Sequence, residues 1–169
     1  IIMDGKMLTG AKGAAGEIGH IHVDDEETET CGCGNQGCLE QYASANGLVN
    51  VAEKYIAAHR TVETELDLNA GFTAKDVCDA AKAGDKAGLA AVEESMRLLG
   101  KAMASVSCVI DPQVFVVGGG LSKAGNIIID TASKYYKEYA FHASRETEIK
   151  LATLGNAAGM YGGVKMVIG

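Results

Sequence analysis

No apolar run in this 169-residue sequence is long enough to cross a bilayer, which takes about 20 consecutive apolar residues, and no signal-peptide pattern is found. A reducing cytoplasm is therefore the expected setting for its five cysteines, and a disulfide framework is not expected. Basic charge is also scarce: 15 Lys and Arg stand against 22 Asp and Glu, for a net charge of −7. That balance excludes nucleic acid as a partner held by a basic surface. An anionic small molecule stays possible, because backbone N–H groups and magnesium can hold phosphates on an acidic protein. The glycine run Gly118-Gly119-Gly120 lacks the G-x-G-x-x-G spacing of the dinucleotide fingerprint, and no Gly-Lys-Ser/Thr follows it to make a P-loop. The acidic run Asp24-Asp25-Glu26-Glu27, with Glu29 beyond it, lacks EF-hand spacing and reads as a solvated loop. No repeat, low-complexity tract or internal linker divides the chain, and its 47% hydrophobic content suits one core.

What is present is a metal-ligand spacing. His20, Cys31, Cys33 and Cys38 fall around the glycine-rich turn Cys31-Gly-Cys-Gly-Asn-Gln-Gly-Cys38. Zinc takes four tetrahedral nitrogen or sulfur ligands, and these residues supply four. With every position filled by protein the ion would be structural, since a catalytic zinc keeps one position open for water. The alternative is three buried reduced thiols beside an unrelated surface histidine. An iron–sulfur cluster is disfavoured because the usual frameworks need four cysteines. The other two cysteines, Cys78 and Cys108, sit alone in helical stretches and read as small buried apolar residues.

The elements follow an α/β pattern. The chain opens inside an apolar segment without an initiator methionine, and this opening reads as half a hairpin cut from something longer. Asp4-Gly5 predicts a hairpin over residues 1–9, followed by a loop, Gly10–Gly16, that carries Glu17, Gly19 and His20 into place. A helix is predicted over 39–58 with a weak point at Gly47. Thr73 and Asp76 form a capping-box pattern ahead of a helix ending at Gly84, and Asp85 can cap the next. Leu89, Val92, Met96, Leu99, Met103 and Val106 recur at steps of three and four, predicting a long amphipathic helix from Lys86 to Val109. The only proline, Pro112, stops it. Val114–Val117 then reads as a fully buried strand leading into Gly118-Gly119-Gly120, with Leu121-Ser122 capping a helix through Tyr139. A strand, a glycine turn and a helix N-terminus make a ligand cradle, although an ordinary tight connection has the same sequence. A strand over 148–154, a turn at Gly155-Asn156 and a small-residue helix to Ile168 complete the layout.

Three segments resemble the ROK family of sugar kinases and sugar-responsive repressors, most closely its bacterial glucokinases. Gly16-Glu17-Ile18-Gly19-His20 is similar to the family's sugar- and zinc-binding loop, Cys31 through Cys38-Leu-Glu40 to its zinc signature, and Asp111-Pro112 through Gly120 to its adenosine-side motif. The resemblance implies the C-terminal lobe of an actin-like, ribonuclease-H-like ATPase spanning 1–169, with the N-terminal lobe outside the chain. It implies sugar binding by Glu17, His20 and Glu40, nucleotide binding at Gly118, Gly119 and Gly120, and structural zinc on His20, Cys31, Cys33 and Cys38. It also implies ATP and magnesium as cofactors, a homodimer, and phosphoryl transfer to the 6-hydroxyl of glucose. The family's first phosphate motif and its general-base aspartate lie upstream of the matched segments, so no residue of 1–169 is expected to be the catalytic base. Ala157 departs from relatives that carry an acidic residue there. Two other classes stay open: a sugar-sensing repressor with an N-terminal winged helix, and a plain zinc-stabilised interaction domain. Among the kinases, N-acetylmannosamine or fructose are alternatives to glucose.

Overall fold

The computed structural model describes residues 1–168. Strands β1 (Ile2–Met3) and β2 (Lys6–Met7) pair antiparallel, Ile2 opposite Met7 and Met3 opposite Lys6. Their turn is the Asp4-Gly5 pair, with φ of 50° and 73°, the conformation that matches strand twist in a two-residue hairpin. An irregular segment containing a 3-10 turn at Ile18–His20 leads to α1 (Glu40–Ala43), α2 (Ala45–Ala58), α3 (Ala74–Ala83) and α4 (Lys86–Ile110). Strand β3 (Val114–Val117), helix α5 (Asn126–Tyr139) and strand β4 (Glu148–Leu151) follow, and then α6 (Ala158–Ile168). β3 and β4 pair in parallel, Val114 opposite Glu148 through Val117 opposite Leu151. α5 is the crossover that parallel pairing requires. Among the described residues no helix is long and apolar enough to cross a membrane.

α4 is the spine because its apolar positions at steps of three and four are buried on more than one side. Val92 and Met96 pack with Leu48 and Ala52 of α2, Val77 and Ala81 of α3, and Ile128 and Ala132 of α5. Farther along, Met103 and Ala104 join Tyr136 and Ile149. Leu98 and Ala102 meet Leu39 and Tyr42, with Ile21 and Val23 against them, so the loop bearing the cysteine cluster rests directly on α4. The caps hold as read: Thr73 Oγ1 accepts from Asp76 N while the Asp76 carboxylate accepts from Thr73 N at 2.8 Å. Asp85 accepts from Gly88 N at 2.9 Å.

Four local expectations are corrected. β3 is not fully buried: Phe115 and Val117 face the helices, whereas Val114 is 38% and Val116 63% exposed. A run of four apolar residues cannot distinguish one covered face from two. The break between α1 and α2 falls at Ser44, whose ψ of 173° leaves helical geometry and whose Oγ accepts from Gly47 N at 2.9 Å. Gly47 serves a different purpose: a Cβ there would lie 2.7 Å from Gln41 C and Tyr42 N, so glycine lets α2 start hard against α1. The glycines at 118–120 do not open directly into a helix. Leu121–Ala124 forms a 3-10 turn, Ser122 Oγ turns back to Gly119 O at 2.7 Å, and α5 begins only after Gly125. Cys78 is buried but Cys108 is exposed. Its neighbour Ser107 takes the inward position, 2.8 Å from the Tyr136 hydroxyl.

Candidate metal centre and its adjoining carboxylates

Short backbone pairings bring distant cysteines and His20 together. His22 bridges Cys38 antiparallel, with Val23 N donating to Gly37 O at 2.8 Å and Leu39 N to Ile21 O at 2.9 Å. A second bridge joins Thr30 to Gln36, and Cys31 N donates to Asn35 O at 2.7 Å, closing the tight turn between the outer cysteines. Gly37 is indispensable to this crossing. Its φ is 70°, and a Cβ on it would fall 2.0 Å from Asp24 O and 2.7 Å from the His22 ring.

The ligand atoms of His20, Cys31, Cys33 and Cys38 all lie within 4.8 Å of one another. Cys33 Sγ and Cys38 Sγ are 3.6 Å apart, and Cys31 Sγ is 3.8 Å from His20 Nδ1. A tetrahedron with zinc–sulfur bonds of about 2.3 Å has edges of about 3.8 Å, close to these two separations, so the donor set suits a zinc-sized ion. Cys31 and Cys38 are buried while Cys33 and His20 are exposed, leaving the cluster open on one side. The Asn35 backbone N–H holds the Cys33 thiol below its ordinary value. Burial and the neighbouring Cys33 push Cys38 up. The Cys33 backbone N–H pulls Cys31 down, but its hydrogen bond to Glu40 and its burial prevail and push it up to about 12. Thiols so placed cannot all ionise without a cation, and a divalent ion binding here would displace their protons.

Two carboxylates adjoin the cluster in different ways. The Cys31 thiol donates to Glu40 Oε1 at 2.9 Å, and the same oxygen lies 3.8 Å from His20 Nδ1. Gly19 backs onto Glu40, a Cβ there meeting the Glu40 Cβ at 3.6 Å. Glu17 is exposed at the N-terminal end of the 3-10 turn, its carbonyl accepting from His20 N at 3.1 Å. Its side chain makes no hydrogen bond to His20 or Glu40 among the described residues. No residue of the cluster lines the depressions beside Gly120. Gly120 borders a cavity of about 200 Å³ with Ala74, Cys78, Leu121 and Ala124, and a shallower depression with Asn46, Asn50 and Phe72.

The acidic run is not uniformly solvated, and this corrects the sequence reading. Asp25, Glu26 and Glu29 are exposed, but Glu27 is buried, with Tyr42 Oη 2.8 Å away and Lys54 Nζ 2.9 Å away. Tyr42 Oη is also 2.5 Å from Asp24 Oδ2. His22 contacts two acceptors, Asp25 Oδ1 at 2.8 Å and Gln36 O at 2.9 Å, and these raise its pKa above the usual imidazole value. Gln41 donates to Glu29 O at 2.9 Å and accepts from Cys38 N at 3.0 Å. Nothing in the local sequence separates Glu27 from its acidic neighbours. Its partners lie 15 and 27 positions away.

Four His and Cys donor atoms within 4.8 Å of one another, with a glutamate at their edge and an α/β scaffold beneath them, form a cluster that could hold a zinc ion. Comparison with known proteins places the chain in a family. The ROK family pattern matches residues 1–169. A glucokinase of Halalkalibacterium halodurans is 39% identical over 166 residues, covering 96% of this chain and 50% of its own. A xylose repressor of Caldicellulosiruptor bescii is 29% identical over 173 residues, covering 99% of this chain and 42% of its own. The crystal structure of a ROK family glucokinase from Streptomyces griseus, in complex with glucose and AMPPNP, superposes with a TM-score of 0.84 at 32% identity, covering 98% of this chain and 55% of that one. The chain belongs to the ROK family, and its fold is that of ROK sugar kinases. It spans about half the length of the curated relatives it matches.

Proposed function

We propose that the protein is a ROK sugar kinase that phosphorylates glucose from ATP, and that residues 1–169 form its C-terminal lobe. On this reading the chain supplies a zinc site, part of the sugar site and the adenosine side of the nucleotide site. The observation that carries it is the convergence of His20, Cys31, Cys33 and Cys38 within 4.8 Å, with Glu40 hydrogen-bonded to the cluster's edge. Bound zinc would supply a fixed anchor for the loop and no catalytic position. The protein's own residues do the recognition. A carboxylate accepts hydrogen bonds from two neighbouring sugar hydroxyls, which is the role assigned to Glu40 and Glu17. His20 faces the thiols through Nδ1, so its Nε2 is free to serve a sugar hydroxyl, and one ring would tie loop geometry to substrate.

Gly120, the last of the run Gly118–Gly120, lines two depressions whose walls include Leu121 in one and Phe72, Asn46 and Asn50 in the other, surroundings suited to a flat, polar-edged heterocycle. Magnesium would arrive with the nucleotide, held by its phosphates. Transfer needs the acceptor hydroxyl, the γ-phosphate and a base held together. With the base assigned outside 1–169, the 169-residue chain is expected to bind glucose without turning it over. Cytoplasmic location and a homodimer belong to the same reading, and analytical ultracentrifugation of the full-length protein tests the dimer.

Calorimetric titration of glucose into zinc-loaded and metal-stripped protein is the direct test. Weaker binding after stripping is expected, and equal dissociation constants would refute the coupling of metal to sugar. The similarity to a xylose repressor favours one second reading, a sugar sensor without chemistry. Glucose 6-phosphate formation by the full-length gene product supports the kinase; sugar-dependent DNA binding without phosphorylation supports the sensor.

A further inference from the structure

Glu27 is a buried carboxylate that neither the metal cluster nor the sugar site uses, and its side chain is only 4% exposed. Oε1 accepts from Thr28 N at 2.9 Å, from Glu29 N at 3.0 Å and from Lys54 Nζ at 3.1 Å. Oε2 accepts from Lys54 Nζ at 2.9 Å and Tyr42 Oη at 2.8 Å. The three side chains come from three places: the loop between His20 and Cys31, helix α1, and helix α2. A buried ion pair is a poor source of stability, because desolvation offsets most of the attraction, so its use here calls for a geometric reason.

The reason lies in what Glu27 holds. The segment from Ile21 to Thr30 joins the first metal ligand to the second and has no helix or strand, only single bridges at His22 and Thr30. An unanchored connection of that kind would have to be ordered whenever a metal bound, weakening the binding. Tyr42 stands two residues beyond Glu40 on α1, so the same anchor fixes Cys31 relative to the glutamate it touches. We propose that Glu27, clamped by Tyr42 and Lys54, is a positioning residue that pre-sets the span from His20 to Cys31, so that metal meets a site already close to tetrahedral. The proposal rests on the reading of His20, Cys31, Cys33 and Cys38 as metal ligands.

The test is zinc affinity of the 169-residue chain, by competition with a chromophoric chelator, with cobalt(II) absorption reporting site geometry. Glu27→Gln keeps the shape and removes the charge; Lys54→Met removes the partner. Each is expected to weaken zinc binding about ten-fold, within the range seen when groups behind metal ligands are lost. The Glu27→Gln/Lys54→Met double variant, which leaves no lone buried charge, is expected to lose less than the two single effects combined. Lys54→Arg, which retains the pair, is expected to stay near wild type. Tetrahedral cobalt bands at saturation in every variant would show that the ligands themselves are intact. If Glu27→Gln does not fold, Tyr42→Phe and Lys54→Met carry the same comparison. Unchanged zinc affinity in these variants, with only a lowered unfolding midpoint, would overturn the positioning role alone. Failure of the wild-type chain to take up zinc would overturn the metal reading and this proposal with it.

Discussion

Replacing Gly37 with alanine tests how the cluster is built, and Gly34→Ala is its control. Both glycines have positive φ, 70° at Gly37 and 92° at Gly34, so alanine at either meets the same backbone penalty of roughly 1–2 kcal/mol. They differ in space. A Cβ at Gly34 meets nothing within 4 Å, whereas one at Gly37 would sit 2.0 Å from Asp24 O, a backbone atom that cannot swing aside. The crossing of the two strands must therefore open, loosening the bond from Val23 N to Gly37 O, for about 1 kcal/mol, with overpacking adding about 1–3 kcal/mol. We expect Gly37→Ala to exceed Gly34→Ala by about 2 kcal/mol or more. Because Cys38 is the next residue, zinc must draw the opened crossing closed again, and about 2 kcal/mol for that step, separate from what the metal-free chain loses, makes zinc affinity about thirty-fold weaker than in the control. Urea unfolding of the metal-free chain and chelator competition measure the two quantities. Equal zinc affinities for the two variants would refute the claim that the crossing at Gly37 sets the position of Cys38.

Gly47→Ala should destabilise the protein by about 1–3 kcal/mol, read from urea midpoints, because its Cβ collides with the backbone of Gln41 and Tyr42. An ordinary mid-helix glycine would instead gain stability on becoming alanine. Tyr136→Phe should cost about 1–3 kcal/mol by leaving Ser107 Oγ and Ser144 O without the hydroxyl that meets them at 2.8 and 2.6 Å; an unchanged midpoint would discount that buried network. Burial alone would raise the Glu27 pKa, but hydrogen bonds from the Glu29 N–H, Lys54 and Tyr42 outweigh it and bring it from 4.5 down to about 2. A depressed folded pKa gives stability that is complete above the unfolded value and is lost as pH falls towards the folded one. The metal-free chain should therefore lose about 3 kcal/mol between about pH 5 and pH 2 beyond what a Glu27→Gln variant loses over the same range. Parallel pH profiles for the two would sink that assignment.

Features encoded within a few residues were legible. The Asp4-Gly5 turn, the Thr73/Asp76 capping box, the Asp85 cap and the α4 stripe each depend on neighbours within about one or two turns of chain, and each formed where expected. The α4 stripe also shows the limit of pattern alone. Val92, Met96 and Met103 are buried, but Leu89 is 45% exposed. Gly47 illustrates a sharper failure. Low helix propensity suggested a break, whereas the glycine sits inside α2 because another helix passes too close for a side chain. Propensity describes an isolated helix, and the contact with α1 overrode it.

For the site, the sequence alone singled out the four residues whose donor atoms meet. One imidazole and three thiols at that spacing, with glycines between them, already point to a nitrogen–sulfur donor set that could hold zinc, because ligand type and local turn chemistry are properties of short segments. Only the tertiary structure decided which acidic side chains matter around it. It placed Glu40 against Cys31, left Glu17 at the surface, and buried Glu27 between Tyr42 and Lys54. A carboxylate's burial and partners are set by segments far along the chain, as Lys54 lies 27 residues from Glu27, and the spacing of like residues carries no trace of such a meeting.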